Sequence, residues 1–68
     1  MMVVNIRDEF IKLSQAMKLA SLVSEGSEAK YAIQNGEVKV NGSVCDQRGK
    51  KLYKGDSFEY NGETVTIA

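Results

Sequence analysis

The first half of the chain places hydrophobic residues at the spacing of α-helices. Val3, Val4 and Ile6 alternate imperfectly with polar residues and fit either a short first strand or an extended lead-in. Beyond them, apolar side chains recur at intervals of three and four residues, at Phe10, Leu13, Met17 and Ala20. This period predicts a first helix whose apolar stripe faces the core, with Asp8 at its N-cap.

A second and shorter helix is predicted from Glu28 to about Asn35. Ser27 is a suitable N-cap, and one side of the helix is apolar, with Ala29, Ala32 and Ile33. Gly36 would end the helix, because glycine readily takes the left-handed conformation. A helix of about eight residues does not persist alone in water, so packing must hold it in place.

The second half of the chain changes to the period of β-strands. Val38 and Val40 alternate with polar residues, and Asn41-Gly42 is typical of a tight hairpin turn, with a return strand at residues 43–45. Asn61-Gly62 predicts a second hairpin of the same kind. The order of elements predicts an α+β domain in which N-terminal helices pack on a small antiparallel sheet of two hairpins. We expect one domain over residues 1–68.

Positive charge is concentrated in the middle of a chain that is neutral as a whole. The 68 residues include nine basic and nine acidic side chains, for a formal net charge of 0. Residues 30–54 hold six of the basic side chains against Glu37 and Asp46, so this segment carries a net charge of +4. Attraction to phosphate is screened within about 10 Å, so a local cluster matters more than the overall charge. Such clustering favours a binding face, although a run of charge can also be only a solvated surface.

Residue types that support catalysis or metal binding are scarce in this sequence. It contains no histidine and a single cysteine, Cys45, which excludes an intramolecular disulfide and leaves no ligand set for a structural zinc site. Neither a serine–histidine pair nor a glycine-rich phosphate loop is present. We therefore expect a protein that is not an enzyme and that uses neither a cofactor nor a metal. The sequence has no apolar run of membrane-spanning length and no signal-peptide pattern, so we expect a cytoplasmic protein that does not bind membranes.

Several basic and polar side chains could share one surface. Lys30 and Gln34 are one helical turn apart, and Lys39 faces away from the two valines beside it. A polar loop over residues 46–51 adds more positive charge, with Arg48, Lys50 and Lys51. Lysine suits phosphate as a flexible point charge, and arginine can bind phosphate through two N–H groups or stack on a base. This combination indicates RNA as the ligand.

A series of short motifs resembles the S4 RNA-binding domain, which is also called the alpha-L motif and is named for ribosomal small-subunit protein S4. The matching segments are Gly26-Ser27-Glu28-Ala29-Lys30, Asn35-Gly36, Val38-Lys39-Val40-Asn41-Gly42, Arg48-Gly49-Lys50-Lys51-Leu52 and Gly55-Asp56. They follow the family's order over about Ile6 to Tyr60, and they look most like the stand-alone YaaA/YbcJ-like bacterial group.

The resemblance implies a helix pair on a small sheet that grips structured RNA, with ribosomal RNA as the expected partner. Carried over by position, the implied RNA-binding residues are Ser27, Lys30, Gln34, Lys39, Asn41, Arg48, Lys50 and Lys51. Many members carry an arginine where this chain has Gly26, so the later basic loop is expected to provide more of the grip. Gly36 and the Asn41-Gly42 turn are implied to aim the basic groups. We expect a monomer.

A small protein-interaction module or a ubiquitin-like carrier is the alternative function. Val-Asn-Gly, a charged loop and Gly-Asp before a terminal strand also occur in small sulfur-carrier proteins. Those carriers are activated at a flexible Gly-Gly C-terminus, whereas this sequence ends in Thr66-Ile67-Ala68. RNA binding is therefore the favoured interpretation.

Overall fold

Two helices cover one face of a five-stranded sheet, and a separate two-stranded ribbon contributes to the same core. The computed structural model describes residues 2–68. Its elements in chain order are β1 Met2–Val4, β2 Phe10–Lys12, α1 Leu13–Leu19, α2 Gly26–Gln34, β3 Val38–Val40, β4 Ser43–Val44, β5 Lys51–Tyr53, β6 Ser57–Tyr60 and β7 Glu63–Ile67. The fold class is α+β, as the sequence predicts, but a strand comes first, and β1, β2 and β5 lie outside the two hairpins β3–β4 and β6–β7.

The larger sheet is mixed, not purely antiparallel. Its strand order is β1-β7-β6-β3-β4, and β1 runs parallel to β7 while the other neighbours are antiparallel. The predicted antiparallel sheet is therefore wrong at this edge, where the N-terminal strand pairs with a strand at the other end of the sequence. On the inner face, Val40, Phe58 and Val65 lie directly opposite one another on three strands and are buried beneath the helices.

Both predicted hairpin turns are present. Asn41 and Gly42 have φ angles of 49° and 87°, and Asn61 and Gly62 have φ angles of 53° and 80°. Positive φ at both central residues is the geometry of the type I′ turn, whose twist matches that of the flanking strands. The first return strand is shorter than predicted, because β4 stops at Val44.

The first helix begins later than the sequence predicts. α1 starts at Leu13, and Phe10–Lys12 forms β2, so the predicted N-cap at Asp8 and the helical position of Phe10 are both wrong. β2 pairs antiparallel with β5, which places Phe10 opposite Tyr53. Aromatic and β-branched residues favour strands, and pairing with a distant strand overrides a weak local preference for helix. Leu13 and Met17 keep their predicted places in the core.

The second helix ends where the sequence predicts and begins slightly earlier. Its first residue is Gly26, so Ser27 lies inside the first turn and the predicted N-cap at Ser27 is wrong. Gly36 takes a φ of 75° immediately after the helix. The N–H groups of Gly36 and of the next residue donate to α2 carbonyls at 3.1 and 3.0 Å. These two bonds form a Schellman motif, in which the left-handed glycine stops the helix.

The core draws on both helices, on the large sheet and on the ribbon. Its largest fully buried side chains include Phe58, Leu13, Met17, Ile33 and Leu52. Within residues 2–68, no polar or charged side chain is buried. The same stretch contains no helix long and apolar enough to cross a membrane. The functional chemistry of the described chain therefore lies at its surface.

Candidate nucleic-acid interface

One face of α2 carries three of the predicted contact residues. Ser27, Lys30 and Gln34 are separated by three and four positions, so they lie on one side of the helix, opposite the buried Ala29, Ala32 and Ile33. Tyr31 belongs to the same side and is 65% exposed. We call these four residues, Ser27, Lys30, Tyr31 and Gln34, the α2 outer face. It combines a cation, polar groups and an exposed aromatic ring.

The loop between β4 and β5, residues 45–50, is fixed at both ends by backbone hydrogen bonds, and we call it the basic loop. At its start, the N–H of Cys45 donates to the carbonyl of Val38, close to the end of α2, at 3.0 Å. At its far end, the N–H of Leu13 donates to the carbonyl of Lys50 at 2.9 Å, and that of Ser14 to the carbonyl of Arg48 at 3.3 Å. The loop thus runs from the first residue of β3 to the start of α1.

The backbone and the side chains of the basic loop have different roles. Its carbonyls accept hydrogen bonds from the first N–H groups of α1, which have no partner within the helix. The side chains of Arg48 and Lys50 are exposed. Lys50 also lines a shallow groove beside β4, together with Asn41 and Gln47. A loop whose backbone is held while its cations remain in solvent is suited to binding phosphate with little loss of backbone freedom.

Lys51 is the first residue of β5 and not part of the loop, contrary to the prediction. Lys51 lies opposite Lys12, and Tyr53 lies opposite Phe10. The residues between them, Ile11 and Leu52, point the other way, and Leu52 is fully buried. The outward side of the ribbon therefore consists of Phe10, Lys12, Lys51 and Tyr53, and we call it the ribbon face. The ammonium Nζ of Lys51 lies 4.7 Å from the centroid of the Phe10 ring.

Lys39 lies on a different surface from the α2 outer face. It is exposed on the side of the large sheet that faces away from the helices, as predicted from its alternation with Val38 and Val40. Its cross-strand neighbours are Glu59 on β6 and Val44 on β4. The carboxylate opposite Lys39 partly offsets its charge for an approaching phosphate. The structure does not bring Lys39 together with the α2 outer face.

The side chain of Asn41 is engaged within the protein. Its Oδ1 accepts a hydrogen bond from the N–H of Ser57 at 3.0 Å, and its Nδ2 donates to Oδ1 of Asp56 at 3.2 Å. The other carboxylate oxygen of Asp56 accepts from the N–H of Tyr53 at 2.8 Å. Asn41 thus ties the β3–β4 turn to the turn between β5 and β6. These bonds give it a structural role beside any contact with a ligand.

Three surface residues were absent from the predicted set: Lys12, Tyr31 and Tyr53. Tyr31 could have been included, because it follows Ser27 by one helical turn and precedes Gln34 by three residues. Tyr53 and Lys51 flank the buried Leu52, a polar-apolar-polar alternation that is typical of a half-buried strand. Lys12 could be placed only by knowing that β2 pairs with β5.

Metal chemistry has no visible support in the described chain. Within residues 2–68, no group of three or more histidine, cysteine, aspartate or glutamate side chains could hold an ion. One open groove lies between residues 5–8, the ribbon and α1. The exposed cations of the basic loop and the ribbon face, together with the exposed aromatic rings, are suited to a large anionic partner.

Comparison with known proteins places the chain in a family. A model of the S4 domain matches residues 4–68, and the chain therefore belongs to the S4 domain family. A Bacillus subtilis protein named as a probable ribosome maturation protein, RlbA, is 41% identical over 59 residues, which cover 87% of this chain and 83% of that protein. YbcJ of Escherichia coli is 32% identical over 57 residues, covering 84% and 81% of the two chains.

Solved structures give the same assignment. The solution structure of Escherichia coli YbcJ, described as an alpha-L motif involved in RNA binding, superposes with a TM-score of 0.77 and 28% identity. The match covers this whole chain and 87% of YbcJ. The 30S ribosomal protein S4e of Thermoplasma acidophilum matches with a TM-score of 0.64 and 26% identity, over 85% of this chain and 31% of S4e.

Proposed function

We propose that this protein binds structured RNA, with ribosomal RNA as its partner, through the basic loop, Lys51 and the α2 outer face. The observation that carries the proposal is the basic loop. Its backbone is held between β3 and the start of α1 while Arg48 and Lys50 remain exposed. It lies within a segment of net charge +4 in a chain of net charge 0. An uneven distribution of this kind attracts a polyanion to one side of the molecule.

The proposed mode of recognition is by shape and backbone. The major groove of an A-form RNA helix is too deep and narrow for side chains, so phosphates, 2′-hydroxyl groups and bases in loops are the groups that a protein can reach. Lys30, Lys50 and Lys51 would bind phosphates as point charges, and Arg48 would bind a phosphate or stack on a base. Ser27 and Gln34 are suited to hydrogen bonds with 2′-hydroxyl groups.

The names of the relatives support ribosomal RNA as the partner. One relative is named for ribosome maturation, one is described by an RNA-binding motif, and one structural neighbour is a ribosomal protein. On this proposal the chain acts in the cytoplasm, as a monomer and without catalysis. Lys39 and Asn41 are proposed to contribute less to binding. Glu59 lies opposite Lys39, and the side chain of Asn41 is already engaged in hydrogen bonds within the protein.

Charge reversal in the basic segment tests the proposal. We expect Lys50→Glu with Lys51→Glu to weaken binding to purified ribosomal RNA by more than tenfold. The double variant should also flatten the dependence of log affinity on log salt by about 1.5, since each phosphate contact contributes about 0.7–0.9. The matched control is Arg7→Glu with Lys18→Glu, which makes the same change in charge at two exposed residues outside the proposed surface.

The outcomes separate the competing explanations. A selective loss in the Lys50/Lys51 variant, with an unchanged circular dichroism spectrum, supports the basic loop together with Lys51 as the binding site. Equal losses in both variants would mean that only overall charge matters. Binding to ribosomal proteins but not to ribosomal RNA would instead favour the protein-interaction module.

A further inference from the structure

The ribbon face holds two lysines and two aromatic rings in a small area. The rings of Phe10 and Tyr53 lie 6.0 Å apart between centroids and are tilted by 53°. Tyr53 is 43% exposed and Phe10 is half-buried. Lys12 and Lys51 are both exposed beside them. Packing of the core does not account for the residue types at these four outward positions, because Leu52 and Ile11 form the buried side of the ribbon.

The two lysines face each other at close range. Leu13 donates to the carbonyl of Lys50, so residues 13 and 50 form a hydrogen-bonded pair of the antiparallel ladder. Such pairs alternate with non-hydrogen-bonded pairs, in which opposed Cα atoms are only about 4.5 Å apart and side chains are closer. Lys12 and Lys51 form the next pair and are therefore of the closer kind. Like charges in this position are destabilising.

Neither lysine has a carboxylate opposite it in the ribbon, because each is the cross-strand partner of the other. The Nζ of Lys51 lies instead over the Phe10 ring, at 4.7 Å. An anion placed between the two ammonium groups would replace their repulsion with two attractive contacts. A phosphate group has the charge and the acceptor oxygens that this position requires.

We propose that the ribbon face binds an unpaired nucleotide of the RNA, with its phosphate between Lys12 and Lys51 and its base stacked on Tyr53. The inference rests on the proposed function and extends it from paired RNA to an adjacent single-stranded residue. Every base has a π-face, so stacking on an aromatic side chain tolerates any sequence. The ribbon face also begins where the basic loop ends, since Lys50 and Lys51 are consecutive residues.

The test compares two RNA hairpins that share one stem. One ends in a blunt terminus, and the other carries a short single-stranded extension. We expect the wild-type protein to bind the extended hairpin about tenfold more tightly, a gain typical of one stacked base. Tyr53→Leu keeps an apolar neighbour for Phe10 and should lose this gain while binding the blunt hairpin normally. Tyr53→Phe keeps the ring and should retain the gain.

A second measurement reports stacking directly. A fluorescent purine in the extension should be quenched on binding to the wild-type protein and to Tyr53→Phe, and should remain bright with Tyr53→Leu. If the blunt hairpin binds and the extension adds nothing, the ribbon inference is wrong and the proposed function stands. If neither hairpin binds, the proposed function fails and the inference fails with it. Capture of an acidic peptide by the ribbon face, with no gain from the RNA extension, also overturns the inference.

Discussion

Replacing Lys12 with glutamate should stabilise the protein and weaken its binding to RNA. Lys12 lies opposite Lys51 in a non-hydrogen-bonded pair of the ribbon, where the side chains of antiparallel strands come closest. Lys12→Glu would turn a repulsive pair into an attractive one without touching a buried residue, because both positions are exposed. The same change would remove a cation from the proposed phosphate site.

The expected gain in stability follows from the geometry of the pair. An attractive cross-strand pair contributes roughly 0.2–1 kcal/mol, and a repulsive one costs a comparable amount. Lys12→Glu removes the repulsive pair and creates an attractive one. Because both side chains are in solvent, we expect the free energy of unfolding to rise by about 0.5–1 kcal/mol in total. In a domain of this size, 1 kcal/mol shifts Tm by about 4–8 °C. Lys12→Glu should therefore raise Tm by about 2–8 °C at low salt.

Thermal unfolding followed by circular dichroism measures this shift, and Lys39→Glu is the matched control. Lys39 lies opposite Glu59, so the same substitution creates a repulsive pair there and should lower Tm. The backbone N–H of Asn41 donates to the carbonyl of Ser57, so residues 41 and 57 form a hydrogen-bonded pair of the ladder. Because such pairs alternate, Lys39 and Glu59 also form a hydrogen-bonded pair, in which the strands lie farther apart. The fall in Tm for Lys39→Glu should therefore be smaller than the rise for Lys12→Glu. Both shifts should shrink at about 1 M salt, where the screening length is about 3 Å. Shifts of the same sign in the two variants would refute the reasoning.

Three further substitutions separate structural residues from binding residues. Asn41→Ala should lower the free energy of unfolding by about 1–2 kcal/mol in urea titrations, because it removes the acceptor for the Ser57 N–H and puts alanine at positive φ; an unchanged midpoint would contradict this. Gly36→Ala should lower the free energy of unfolding in the same titrations by about 1 kcal/mol. The cause is backbone strain alone, since the added methyl group would make only an ordinary van der Waals contact with Val44, at 3.7 Å. Tyr31→Leu should leave the thermal midpoint unchanged and weaken binding to looped RNA several-fold, and equal affinity would exclude Tyr31 from the interface.

The parts of the fold that the sequence predicts correctly depend on neighbours in the chain. The Asn41-Gly42 turn and the helix stop at Gly36 are both specified within a few residues, by positive φ and by short-range hydrogen bonds. The helical position predicted for Phe10 is wrong for the opposite reason. Its spacing from Leu13 fits a helix, but its strand is selected by pairing with residues 51–53, some forty positions away. The parallel pairing of Met2–Val4 with the last strand is equally invisible to local patterns.

The same distinction applies to the candidate surface. The α2 outer face follows from helical spacing, and the exposure of Lys39 follows from strand alternation, so both could be derived from the sequence. The spatial relation between these groups could not. Lys39 lies on the far side of the large sheet from the helices, and Lys51 belongs to a ribbon whose partner strand has the hydrophobic spacing of a helix. Local spacing therefore predicts which side chains are exposed, whereas their arrangement on the surface depends on the pairing of strands that are distant in sequence.

The basic loop shows how a chain with a small core can support a binding surface. A loop with two cations would ordinarily be mobile, because like charges repel and because only Cys45 of this loop packs against the core. Here the carbonyls of Arg48 and Lys50 accept the first N–H groups of α1, so the loop contributes to the helix at the same residues that expose charge. Ordering the loop and starting the helix are then one event. A bound phosphate that fixes Arg48 and Lys50 would strengthen the hydrogen bonds that begin α1, and RNA binding would be linked to the stability of the fold.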